Sequence, residues 1–96
     1  MNIQTLTNKI QKDSILNNLA SFFDNEIYVV GGTVRDFLMG KISYDRDLIV
    51  VDEDAKSFSQ KVAEFFDGVF IPLDEENKIY RIVLKDKKNF LDITNP

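Results

Sequence analysis

Two spacings of apolar residues alternate along the chain. Leu6, Ile10, Leu16, Leu19, Phe22 and Phe23 recur at helical intervals and predict an amphipathic helix over residues 5–23, closed by Asp24-Asn25. Ile27-Tyr28-Val29-Val30 is apolar without interruption and predicts a short strand buried on both faces, broken by Gly31-Gly32. Val34, Phe37 and Leu38 then fall at i, i+3 and i+4, the buried stripe of a short helix over 33–39. Thr33 and Asp36 are spaced as a capping box at its start, and Gly40 is placed to end it. A strand over 45–51 follows, then a helix over about 55–66 opened by Asp52-Glu53-Asp54, with Phe58, Val62, Phe65 and Phe66 supplying its apolar face. The rest predicts strands over 69–71, stopped by Pro72, over 78–84 and over 90–94, with an acidic loop at 73–77 and a hairpin turn at 86–89. The order α-β-α-β-α-β-β-β predicts an α+β fold, a mixed β-sheet with helices packed on it, in a single domain over 1–96. The chain stops two residues after an apparent strand, which suggests a truncated piece of a longer protein.

Composition narrows the chemistry. With 96 residues, one modest core is feasible and a second is not. The net charge of −4 gives no whole-domain attraction to nucleic acid, so any such contact must be local or come from elsewhere. The absence of Cys and His removes disulfides, thiolate zinc sites and Cys/His nucleophiles or bases. A metal here would rest on oxygen ligands, which favours Mg²⁺, Mn²⁺ or Ca²⁺. No apolar run approaches the ~20 residues of a membrane span, and the N-terminus lacks a signal-peptide core, so a cytoplasmic protein without membrane contact is expected.

The chemistry-bearing residues cluster. Asp45 and Asp47 stand at i and i+2 on a strand and so project from one face, where two carboxylates repel unless a cation lies between them. A magnesium ion would relieve that repulsion and bridge to phosphate. The same pair also reads as two solvated acids at a strand entrance, with Arg46 and Lys41 as surface partners. Gly31 and Gly32 are either an ordinary turn or a place where phosphate reaches backbone N–H groups. Arg35, early in the short helix, opposes the helix dipole, a conflict that an anionic ligand or a nearby acid such as Asp36 or Asp45 would remove. Asp92 lies mid-strand in an apolar setting and needs a partner. It would complete a three-carboxylate cluster if strand 90–94 lay beside strand 45–51, or it would pair with Arg81 on the hairpin. Asp52, Glu53, Asp54, Asp74, Glu75 and Glu76 read as solvated helix-start and loop acids.

Joined together, Tyr28-Val29-Val30-Gly31-Gly32-Thr33-Val34-Arg35-Asp36-Phe37-Leu38-Met39-Gly40-Lys41 and Asp45-Arg46-Asp47-Leu48-Ile49-Val50 resemble the first signature of a known family. It is the catalytic head of class II tRNA nucleotidyltransferases (CCA-adding enzymes) and bacterial poly(A) polymerases, in the polymerase β-like superfamily. Phe70-Ile71-Pro72-Leu73-Asp74-Glu75, Tyr80-Arg81-Ile82-Val83-Leu84 and Leu91-Asp92-Ile93-Thr94 resemble its later strands, so the similarity covers about residues 27–94. The resemblance implies Mg²⁺-dependent transfer of a nucleotide from ATP or CTP to the 3′ end of tRNA or another RNA. It implies that Gly31, Gly32 and Arg35 bind the nucleotide, that Asp45 and Asp47 are catalytic and hold Mg²⁺, and that Asp92 is a third catalytic acid. Asp36 and Lys41 match signature positions as supporting residues. The family's next motif and its RNA-holding regions would fall beyond Pro96. The alternatives are a small stand-alone nucleotidyltransferase of toxin–antitoxin type and a non-catalytic nucleotide-binding domain. Intact Asp45, Asp47 and Arg35 weigh against the latter.

Overall fold

A computed structural model describes residues 13–40 and 44–96, without the side chains of Val34 and Phe37. Three helices and five strands appear among these residues: α1 (Ser14–Phe22), β1 (Ile27–Val30), α2 (Gly32–Leu38), β2 (Asp45–Val50), α3 (Ala55–Phe66), β3 (Val69–Asp74), β4 (Ile79–Val83) and β5 (Phe90–Thr94). The element order is the predicted one. The portion of the first predicted helix before residue 13, with Leu6 and Ile10, lies outside the described residues, as does Lys41.

The strands form one mixed sheet in the order β1-β2-β5-β4-β3. β2 and β5 run parallel, and the other neighbours are antiparallel. Residues alternate faces along each strand. Arg46, Leu48 and Val50 of β2 and Leu91 and Ile93 of β5 are buried, and they share a core with Leu16 and Leu19 of α1 and Phe58 and Val62 of α3. The alternate residues, Asp45, Asp47 and Asp92 among them, occupy the opposite, more open face. α1 and α3 thus support the sheet from behind and leave its front available for chemistry.

Each supporting helix has a cap that the sequence supplies. Asp13 accepts from the N–H groups of Ile15 and Leu16, and Asp54 accepts from that of Ser57. Gly40, with φ of 72°, follows α2 in the left-handed conformation expected of a stop.

Several expectations are corrected. β3 continues through Pro72 to Asp74, because β3 is an edge strand and a residue without an N–H is tolerated there, beside an irregularity in register between Pro72 and Asp74. β1 is not buried on both faces. Ile27 and Val29 are in the core while Tyr28 and Val30 are half-buried on the open face, since β1 is the other edge of the sheet. Leu38 is 59% exposed and does not complete a buried stripe on α2. Thr33 does not cap α2, which begins one residue earlier, at Gly32.

Candidate active site

Several of the residues singled out in the sequence lie around the end of β1, where the chain leaves the sheet. Val30 is the last β1 residue paired with β2, opposite Asp47. Gly31 then takes a φ of 65°, a left-handed conformation that costs a residue with a Cβ about 1–2 kcal/mol. After the turn, α2 packs against β1 and β2. Thr33, buried, accepts a hydrogen bond on its hydroxyl from the N–H of Asp47 (2.9 Å) and donates to the carbonyl of Asp45 (3.4 Å). One side chain thereby serves both acid-bearing residues of β2 after the β1 backbone has turned away, and it ties the glycine turn to the two acids.

The turn lies between an acid and a cation. A Cβ placed on Gly31 would stand 3.5 Å from Oδ2 of Asp47, and one on Gly32 would stand 3.3 Å from Nη2 of Arg35. The Arg35 side chain is 73% exposed and makes a long contact of 3.8 Å with Asp36. An exposed pair at that distance contributes about 0–1 kcal/mol, so it barely restrains the guanidinium.

A row of cross-strand neighbours on the open face organises the acids. Val30 faces Asp47, Asp47 faces Asp92, Asp92 faces Arg81, and Arg81 faces Ile71. Asp45 lies one step along the same face of β2, opposite Phe90. The carboxyl of Asp47 is pushed above the usual carboxylate range, first by burial and then by the negative charges of Asp92 and Asp45, with Arg81 opposing. A shallow cleft of about 280 Å³ runs over this row, lined by Val30, Gly31, Asp47, Leu48, Ile79, Asp92 and Thr94.

Asp92 has a neighbour on each side. β5 lies beside β2, so Asp92 neighbours Asp47, and Asp92 is also the partner of Arg81. Arg81 donates from Nε to Oδ1 (2.8 Å) and from Nη2 to Oδ2 (2.9 Å). Its guanidinium lies over the ring of Phe90, 4.1 Å from the centroid.

The donor set suits a hard divalent ion in part. Asp45 and Asp47 share a face, and the charge crowding on Asp47 is the electrostatic condition that a bound cation relieves. Among the described residues, however, no three acidic side chains converge as a ready metal cage. Both oxygens of Asp92 are engaged by Arg81.

Arg46 departs from its surface reading. It is 5% exposed, and it points away from its acidic neighbours into the core side. There Nη2 pairs with Asp13 at 2.9 Å, Nε donates to the same oxygen, and Nη1 donates to the side chain of Asn89 and the carbonyl of Tyr44. Period-two alternation already puts position 46 on the face of Leu48 and Val50, so the signal was present. Asn95 carried no such signal. Its amide donates to the carbonyls of Val50 and Glu53 and accepts from the N–H of Ala55, which fastens the end of β2 and the start of α3 to the segment after β5. Asp52 is exposed as expected, whereas Glu53 is half-buried and pairs with Lys61; both accept hydrogen bonds from the side chain of Asn25.

Comparison with known proteins identifies the family. The sequence profile described as the poly(A) polymerase head domain matches residues 27–95. A CC-adding tRNA nucleotidyltransferase of Geobacter sulfurreducens is 40% identical over 72 residues, 75% of this chain and 16% of that protein. An A-adding tRNA nucleotidyltransferase of Halalkalibacterium halodurans is 43% identical over 65 residues, 67% of this chain and 15% of that protein. The matched segments therefore span roughly one-sixth of the length of these relatives. Among solved structures, a CCA-adding enzyme in complex with CTP superposes with a TM-score of 0.73 over 99% of this chain and 23% of the other, at 24% identity, a likeness of fold. A tRNA nucleotidyltransferase with a primer tRNA and an incoming ATP analog superposes with a TM-score of 0.64 over 81% of this chain and 22% of the other, at 26% identity. With a match that runs from the first strand to the residue after the last, the chain belongs to the poly(A) polymerase head-domain family.

Proposed function

We propose that this chain is the catalytic head of a longer, cytoplasmic tRNA nucleotidyltransferase that transfers a nucleoside monophosphate from CTP or ATP to an RNA 3′-hydroxyl with release of pyrophosphate. The observation that carries the reading is the placement of Asp45 and Asp47 on one open face, joined through Thr33 to the Gly31-Gly32 turn and Arg35. Support comes from family membership and from relatives named as CC-adding and A-adding tRNA nucleotidyltransferases. The solved complexes with CTP, and with a primer tRNA and an ATP analog, favour the same ligands. Because the matched segments make up only 15–16% of those relatives, regions outside this chain would hold the tRNA and choose the base.

In this reading the side-chain-free turn at Gly31 and Gly32 lets the triphosphate approach the backbone, and Arg35 offsets charge on its outer phosphates. Asp45 and Asp47 would hold Mg²⁺. Bound there, the ion would lower the pKa of the RNA hydroxyl and neutralise charge on the leaving pyrophosphate. Asp47 lines the cleft beside Gly31, so its carboxylate borders the space that the polyphosphate would fill, with Asp45 one step along the same face of β2. Asp92 is the third acid of the site and lies next to Asp47.

The test is nucleotide incorporation by the full-length gene product. With Mg²⁺, labelled CTP or ATP and a tRNA lacking its 3′ end, the wild type should extend the RNA, and Asp45→Ala should abolish extension with little change in circular dichroism. Extension by Asp45→Ala at the wild-type rate would overturn the assignment.

A further inference from the structure

We propose that Arg81 is a positioning residue that acts as the internal counter-ion of the site, holding Asp92 until a divalent cation takes its place. The proposal rests on the metal-binding reading of Asp45 and Asp47.

Three observations lead to it. Arg81 engages both oxygens of Asp92 in a fork, at 2.8 and 2.9 Å, so that carboxylate cannot serve a metal fully while the pair is intact. The pair occupies the cross-strand row that contains Asp47, so the guanidinium lies within the field of the acids it would yield to. Phe90, opposite Asp45, seats the guanidinium against its ring at 4.1 Å, which gives the cation a second contact that does not depend on Asp92. The side chains of Arg81 and Asp92 are 32% and 18% exposed, wet enough to exchange partners without stranding a buried charge.

The consequence is a competition of charge. Three carboxylates on one face repel, and a single guanidinium offsets part of that repulsion. A divalent ion between Asp45 and Asp47 would repel Arg81 and attract Asp92, so the two cations oppose each other at the third acid. Arg81 would keep the acids in place at the cost of weaker metal binding.

An NMR titration of the chain with Mg²⁺ alone tests this, reading the Arg81 Nε–H resonance together with the backbone amides of Asp45 and Asp47. The Arg81 resonance should move with the same midpoint as the two amides. Arg81→Met should bind Mg²⁺ about tenfold more tightly, Arg81→Lys should stay near the wild type, and Arg81→Met with Asp92→Asn should lose the gain. A merely structural arginine would change stability and leave the Mg²⁺ midpoint where it was. An Arg81 resonance that stays fixed while the Asp45 and Asp47 amides saturate would overturn this proposal alone, and it needs no variant to fold. Amides at Asp45 and Asp47 that ignore Mg²⁺ would overturn the metal reading itself, and this proposal with it.

Discussion

Thr33 and Asp47 are joined by a 2.9 Å hydrogen bond from the Asp47 N–H to the Thr33 hydroxyl, which makes one buried threonine the link between the glycine turn and the acid-bearing strand. Thr33→Val keeps the shape and removes the hydroxyl, leaving the amide of Asp47 and the carbonyl of Asp45 without that partner. It should destabilise the fold by about 1–3 kcal/mol, and Thr33→Ser should recover most of the loss. Urea denaturation measures both, and faster hydrogen exchange at the Asp47 amide in the valine variant locates the effect.

Asp47 should trade stability for function. Its folded-state pKa is raised, so the ionised form is disfavoured in the fold. The sign follows: stability from this group is fully present below the ordinary carboxylate value of 3.8 and is lost as pH rises through the raised folded value. With chelator present, Asp47→Asn should therefore be more stable than the wild type at pH 7, and the gap should close as pH falls below the ordinary value. Thermal melts across pH check this, while nucleotide transfer by the same variant should be lost.

Gly31 should resist substitution for two reasons. Its φ of 65° disfavours any side chain, and a methyl there would stand 3.5 Å from the Asp47 carboxylate, inside the cleft. Gly31→Ala should cost about 1–2 kcal/mol and weaken nucleotide binding as well. Calorimetric titration with Mg²⁺-CTP separates the second effect from the first, because a merely strained turn would melt earlier and still bind.

Arg46 should matter to the fold far more than its position between two acids suggests. It and Asp13 are both nearly buried, with side chains 6% and 7% exposed. Arg46→Met should cost about 3–5 kcal/mol by leaving the Asp13 carboxylate uncompensated, and adding Asp13→Leu should return part of that. Denaturant midpoints of the two single variants and the double variant form the cycle that measures the coupling.

How much of this could be read beforehand depends on how local the cause was. Helical spacing in Phe58 and Val62, and the turn signals at Gly31-Gly32 and Asp86, act over a few residues, and the elements they predict are present in the predicted order. The shared face of Asp45 and Asp47 follows from strand geometry alone. Pro72 is a stop signal in sequence, and only the place of β3 at the edge of the sheet shows why the strand runs through it. Thr33 misled because a capping box and a long-range tie to β2 look alike until the partner strand is placed. The sequence offers Asp92 two partners, and only the order β2-β5-β4 shows that it has both Asp47 on one side and Arg81 on the other. Arg46 was legible from alternation, but the acids on either side drew attention to charge and away from the face.

The most direct test of the site is an NMR titration of this chain with Mg²⁺-CTP, compared with CTP plus chelator. Shifts should concentrate at residues 31–35 and 45–47, and should largely vanish without the metal. Binding with no response at those residues, or an identical response with chelator present, would contradict the assignment of Asp45 and Asp47 to a metal–nucleotide site.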